Sequence, residues 1–440
     1  MASSASHQPT DRVLIVSRAD VLNKKVFAWA LYDWANSAFA LSVLAVLFPL
    51  FLGSYWSAGD SGAAVTARLA WVTAAASGVV CIFAPILGTI ADTGGYRKRF
   101  LSVLAVLGAS MTAALGLVAE GNWPWALALY LLASIGFYSS TVFYDSLIID
   151  ITKPRYYSFV SSLGFSIGYL GGAALLGLHV WMLMTPETFG FTSADQVIKF
   201  AFVSVGVWWV VFLIPLLVLV PEHRSGIVVA SGVVRAAYAE LRTTIGHIRQ
   251  YRNVVIFLLA YWLYIGGVFT VIFMAVNYGQ RLGFSQQDLV MALMITNFVG
   301  FPATLAYGFL GHRYGPKLGI YVALFVYVAV SLWAISMQDV RQFYVMAIII
   351  GLVQGGVQGL SRSLYASLIP ADQPGEFFGF YNMLTKFAHV LGPILVALGA
   401  TLSEDPKYIL LTIIPLFLGG GMVLSVVRSK KPESVPVSAA

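Results

Sequence analysis

Asp33 and Asn36 stand in Trp29-Ala-Leu-Tyr-Asp-Trp-Ala-Asn-Ser-Ala-Phe-Ala40, inside an apolar run from 26 to 53. Asp33, Asn36, Ser37 and Ala40 fall at i, i+3, i+4 and i+7, one face of a helix. Asp33 lies seven residues past Val26, which at ~1.5 Å per residue is roughly 10 Å into a bilayer whose apolar core is ~30 Å thick. An ionisable group at that depth must exchange a proton, find a partner or meet a solute. Three more helical faces carry such sets: Tyr138, Thr141 and Asp145 at i, i+3 and i+7, Gln354, Gln358 and Ser361 at i, i+4 and i+7, and Asn382, Lys386 and His389 at i, i+4 and i+7. Lys386 stands ten residues after Glu376, roughly 15 Å along a helix and too deep for its stem to reach water. It is therefore neutral, paired with an acid such as Asp33 or Asp145, or open to an anionic ligand; a permanent ion pair that locks the protein is the structural alternative. The chemistry that follows is solute binding by Lys386, Asn36, Gln354, Gln358, Asn382, Tyr138 and Asn297, with Asp33 and Asp145 exchanging protons. Lys386 is expected to hold the anionic end of the solute, coupled to Asp33 through the field between them.

The elements that position these residues follow from composition. Of 440 residues, 59% are hydrophobic and 10% charged, too little polar surface to cover a soluble globule. The chain reads as an all-α integral membrane protein. Apolar runs of spanning length occur at 26–53, 67–91, 100–119, 123–149, 157–184, 197–220, 253–278, 288–311, 317–337, 341–369, 376–402 and 408–428. These give twelve transmembrane helices in two six-helix halves, 26–220 and 253–428. Tails of 1–25 and 429–440 flank them, and a linker, 221–252, joins them. Within the linker Val234, Ala237, Leu241, Ile245 and Ile248 share one helical face, and Arg235, Arg242 and Arg249 another, so it reads as an amphipathic surface helix or a solvated linker. Twenty of the 26 Lys and Arg fall on one side of these spans, among them Arg362 near the end of the tenth run, and five on the other. Both termini and the linker are therefore expected in the cytoplasm, with the spans in the cell (inner) membrane. The third, sixth, ninth and twelfth runs hold no ionisable residue in their interiors and should face lipid, leaving the others to enclose a polar interior.

A repeat supports the two halves. Gly88-Thr-Ile-Ala-Asp92-Thr-Gly-Gly95-Tyr-Arg97-Lys98 follows the second run, and Gly308-Phe-Leu-Gly-His312-Arg313-Tyr-Gly315-Pro-Lys317 follows the eighth, the glycines offset by 220 residues. This loop resembles the signature loop of the major facilitator superfamily, with Thr93 in place of its usual Arg and His312 in place of the second Asp. Tyr32-Asp-Trp-Ala-Asn-Ser-Ala-Phe39, Gly355-Gly-Val-Gln-Gly-Leu-Ser-Arg-Ser363 and Glu376-Phe-Phe-Gly-Phe-Tyr381 resemble the vacuole-effluxer-like branch of that superfamily, whose fungal members release amino acids from the vacuole. The resemblance implies a secondary transporter working by alternating access on a small polar solute, an amino acid or related metabolite moved outward. Gly88, Asp92, Gly95, Arg97, Lys98, His312 and Arg313 are read as its cytoplasmic gate, Asp92 accepting from the N-terminus of a neighbouring helix.

Other residues carry blander readings. His179 is satisfied packing, His389 is hydrogen-bonded structure or a proton relay, and Gly164, Gly168 and Gly172 at four-residue spacing allow close helix packing. Arg362 is read as snorkelling or joining the gate. No G-x-x-x-x-G-K-[ST] loop, metal-spaced cluster or G-x-S-x-G elbow is present, which argues against an ATP-driven pump, a metal site or a hydrolase. The expected partners are a small solute, the lipid bilayer and protons as coupling ion, with no nucleic acid and no cofactor, and the chain is expected to be a monomer. A flippase for amphipathic molecules on the same fold and a solute sensor that moves nothing are the rival readings.

Overall fold

The computed structural model describes residues 23–222, 239, 242–243, 248–402 and 410–428. Twelve helices run through them: α1 (Lys24–Trp56), α2 (Gly62–Gly94), α3 (Arg97–Leu115), α4 (Trp123–Ile151), α5 (Pro154–Met184), α6 (Ala194–Leu219), α7 (Arg252–Arg281), α8 (Gln286–Tyr314), α9 (Pro316–Ser336), α10 (Val340–Leu368), α11 (Pro374–Leu402) and α12 (Ile414–Val426). Among the described residues α1 to α10 are long and apolar enough to cross a membrane. Every expected run overlaps one of the twelve, α12 covering 414–426 of the run expected at 408–428. The linker's expected amphipathic helix and both tails fall almost wholly outside the described residues.

Local chemistry sets the helix ends. Asn23, Ser61, Ser193, Ser285 and Asp339 accept a first-turn backbone N–H through their side chains, and Ser285 and Asp288 cap each other reciprocally. α2 stops at Gly95, whose φ of +65° needs a residue without Cβ. α1 departs from the α-helical repeat: Phe39–Leu47 and Leu52–Trp56 are π-helical, directly after the polar face that carries Asp33 and Asn36.

Packing repeats with a period of six helices. In the first half α1 lies on α5 and α6, α3 on α4 and α6, and α2 on α4; in the second, α7 lies on α11 and α12, α9 on α10 and α12, and α8 on α10. The halves meet through α2 with α11, α5 with α8, α4 with α11, and α5 with α10. Each of these pairs becomes another when six is added to both members. α3, α6, α9 and α12 take no principal part in that interface, and Val103, Val207, Phe325 and Met422 on them are exposed apolar side chains. Such residues belong against lipid, which explains the missing charges in every third run.

Candidate functional site

Small residues let the functional helices approach. An added Cβ on Gly164 would stand 2.7 Å from the Asp33 carboxylate and 2.8 Å from the Trp29 ring, and one on Gly168 2.7 Å from Ser37 Oγ. The glycine stripe of α5 therefore gives α1 the room that its spacing suggests. Asp33 is thereby delivered into a buried cluster contributed by five helices.

At the centre of that cluster is Arg362, 2% exposed. Its Nε donates to Ser161 Oγ (2.8 Å), Nη1 to Asp145 Oδ1 (2.8 Å), and Nη2 to the Ser161 carbonyl (2.8 Å) and Asp33 Oδ2 (3.4 Å). Phe165, Trp29 and Tyr144 surround the guanidinium, with ring centroids 4.2, 4.8 and 5.4 Å away. Tyr144 Oη donates to Asp33 Oδ2 (2.7 Å), and Asn382 Nδ2 to Asp145 Oδ2 (3.2 Å). Both acids belong to the first half and the arginine to the second, so the fork of one guanidinium fastens the halves together.

This corrects two expectations. Arg362 neither snorkels nor sits in the gate loops; it lies inside the bundle, and it does not belong among the charges of the loops. Asp33 is paired with Arg362, not with Lys386. The signal for this was present in the charge count: two carboxylates on inward faces of the first half need more cation than one lysine supplies. Tyr144, next to Asp145 in sequence, is the member of the cluster that sequence does not mark, because an aromatic residue in an apolar run carries no sign of its hydrogen bond.

Lys386 lies apart from the fork. It is 6% exposed, and its Nζ stands over the Tyr138 ring, 3.2 Å from the centroid. Among the described residues it has no hydrogen bond or ion pair. Asn36 is buried on the Asp33 face of α1. Gln354 and Gln358 belong to a different group, bridged by Tyr169 of α5: Gln354 Nε2 donates to Tyr169 Oη (3.2 Å), which donates to Gln358 Oε1 (3.1 Å). Asn297 turns back to the Leu293 carbonyl of its own helix (2.8 Å). His179 is buried on α5, with Nε2 2.8 Å from Ser204 Oγ of α6; the side chain of His389 lies outside the described residues.

The expected gate residues divide by role. Asp92 accepts the backbone N–H of Gly375 (3.0 Å) and of Glu376 (2.8 Å), at the N-terminus of α11, where the helix dipole favours an anion. Arg97 Nε lies 3.4 Å from Asp92, and its Nη1 2.9 Å from Asp150 at the end of α4. Gly88 packs against the Gly375 carbonyl so closely that a Cβ would collide with it, and Gly379 packs in the same way against Ala84 and Pro85. In the second copy His312 Nδ1 is 2.9 Å from the Arg155 carbonyl and its ring stacks on Tyr156. Ser158 and Ser363 Oγ meet at 3.1 Å, and Ser161 Oγ donates to the Gly359 carbonyl (2.8 Å). The end of the molecule that carries the loops after α2, α4, α8 and α10, hereafter the basic end, is thus closed by contacts between the halves. Arg313 meets the ring of its neighbour Tyr314.

Lys98 stays within its own half. Its Nζ donates to the Leu217 and Val220 carbonyls (2.9 Å each) at the end of α6. Lys317 does the same for α12, donating to the Ser425 (3.3 Å) and Val427 (2.7 Å) carbonyls. The two lysines are equivalents one residue out of step with the glycine offset, because α3 begins after Tyr96 and α9 immediately after Gly315.

Comparison with known proteins agrees with this architecture. The family model described as "Vacuole effluxer Atg22 like" matches residues 63–433. The chain belongs to that family. The Bacillus subtilis protein described as uncharacterized MFS-type transporter YxiO is 36% identical over 415 residues, 94% of this chain and 96% of that one. Autophagy-related protein 22 of Yarrowia lipolytica is 25% identical over 307 residues, 62% of this chain and about half, 51%, of its own length. Among solved structures, the proton:xylose symporter XylE bound to 6-bromo-6-deoxy-D-glucose shares the fold, with a TM-score of 0.73 at 13% identity over 94% of this chain and 97% of the other. This Atg22-like chain is therefore a multi-pass membrane transporter with the major facilitator fold.

Proposed function

We propose that the chain is a secondary transporter that carries a small polar solute, an amino acid or related metabolite, outward through alternate opening of its two halves, driven by protons. The observation that carries this reading is the Arg362 fork, which joins Asp33 and Asp145 across the interface that such a transporter has to open. Parting a buried carboxylate from its guanidinium leaves charge unpaired in a low-dielectric interior, a cost of several kcal/mol. A proton on the carboxylate removes most of that cost, so proton uptake at Asp33 or Asp145 favours opening at the basic end. The Lys and Arg of the loops at that end support a cytoplasmic position for it, and with it for both termini, by the positive-inside rule. Asp92 on the α11 N-terminus acts as the cytoplasmic latch.

Reconstituted vesicles test this. Labelled amino acids and short-chain organic acids are to be followed with and without an imposed pH gradient, for the wild type and for Asp33→Asn and Asp145→Asn. The wild type should accumulate solute with the gradient, and the neutral variants should still exchange solute while losing the response to pH. A gradient response undiminished in both variants would remove the acids from the coupling.

A further inference from the structure

Lys386 is the one charged member of the buried cluster that the Arg362 fork leaves unmatched, among the described residues. Asp145 is occupied on both oxygens and Asp33 on one. Asp145 receives Arg362 on Oδ1 and Asn382 on Oδ2, and Asp33 receives Tyr144 and Arg362 on Oδ2. Around Lys386 stand Tyr138 of α4, whose ring lies 3.2 Å from Nζ, and Cys81 of α2, whose Sγ is 3.6 Å from the Met383 carbonyl of α11. Asp145 and Cys81 are the ionisable groups among the described residues whose fields reach the amine. Tyr138 Oη also makes no hydrogen bond among the described residues. Buried donors are ordinarily satisfied, and an ammonium carries three. Among the described residues the surroundings of Lys386 therefore offer donors and a cation, and the one carboxylate whose field reaches it, Asp145, is occupied on both oxygens.

We infer that Lys386 and Tyr138 form a carboxylate subsite that prefers a monocarboxylate to the zwitterionic amino acid of the same skeleton. A carboxylate supplies the acceptor that Lys386 lacks. Asp145, the carboxylate whose field reaches Lys386, is already held on both oxygens by Arg362 and Asn382, so the ammonium of an amino acid seated there would be buried with its donors unmet. The inference rests on the transporter reading and narrows the solute class within it.

The test uses three matched sets on the purified full-length protein: propanoate, alanine and ethylamine; 4-methylpentanoate, leucine and 3-methylbutylamine; 3-phenylpropanoate, phenylalanine and 2-phenylethylamine. Binding is read from the shift in thermal midpoint, and location from the rate at which a maleimide alkylates Cys81. In at least one set the carboxylate should bind about tenfold or more tighter than its amino acid and slow Cys81 alkylation. Both effects should vanish in Lys386→Met and persist in Lys386→Arg, which keeps the charge and checks that the position tolerates substitution. Equal or tighter binding of the amino acid in every set, no binding by any carboxylate, or carboxylate binding that survives Lys386→Met would each overturn the subsite. The opening of the halves is measured without solute, by spin-label distances across them, so failure here and failure of the transporter reading are separate results.

Discussion

At the residue scale, the arrangement around Arg362 sets a charge balance that single substitutions upset unequally. Arg362→Met leaves two buried carboxylates facing each other across α1 and α4, and loss of one partner from a buried pair costs about 3–5 kcal/mol. The variant should show a much lower thermal midpoint in detergent. Adding Asp33→Asn and Asp145→Asn to it should restore most of the loss, because the three neutral side chains no longer carry an unpaired charge. No recovery in the triple variant would mean that the arginine acts by packing against Trp29, Tyr144 and Phe165, not by its charge. The acids and Lys386 were legible in the sequence because charge is rare in apolar runs and spacing gives its helical face. Arg362 was not, because its position six residues before the end of α10 is compatible with a side chain that reaches water, and depth along one helix says nothing about which neighbour covers it.

At the element scale, the two signature loops do two jobs that the sequence presents as one. Asp92, Gly88 and Arg97 act at the junction of α2 with α11, whereas Lys98 and Lys317 anchor the lipid-facing helices α6 and α12 to the start of α3 and α9. A cation at a helix C-terminus contributes about 0.3–1 kcal/mol. Lys98→Met and Lys317→Met should therefore each lower the thermal midpoint modestly and to a similar extent, their effects should add because they lie in different halves, and neither should alter solute affinity. A tenfold or greater loss of affinity in either variant would place that lysine in the gate after all. The repeat in glycines was legible, since turns and close approaches demand them. The one-residue slip between Lys98 and Lys317 was not, since it depends on where each following helix begins. The π-helical stretches of α1 were equally hidden: in a run apolar on all sides, a change from 3.6 residues per turn leaves no stripe to read.

At the scale of the whole molecule, twelve helices and two halves could be read from hydropathy and charge because the bilayer imposes both length and backbone satisfaction. The period-six pairing pattern could not, as no single run states its neighbours. That pattern gives the molecule two equivalent seams, α2 with α11 and α5 with α8. Rigid halves on such seams close one end as they open the other. The direct measurement is a pair of spin-label distances across the halves, in protein whose native Cys81 is replaced by serine: Lys153→Cys with Asp372→Cys at the basic end, and Glu120→Cys with Gln338→Cys at the opposite end, all four native side chains being exposed. Asp92→Asn, which weakens the hold on the α11 N-terminus, should add a population with a longer distance at the basic end and a shorter one at the opposite end. Distances unchanged at both ends, or lengthened at both, would contradict an account in which the two halves rock about the Arg362 fork.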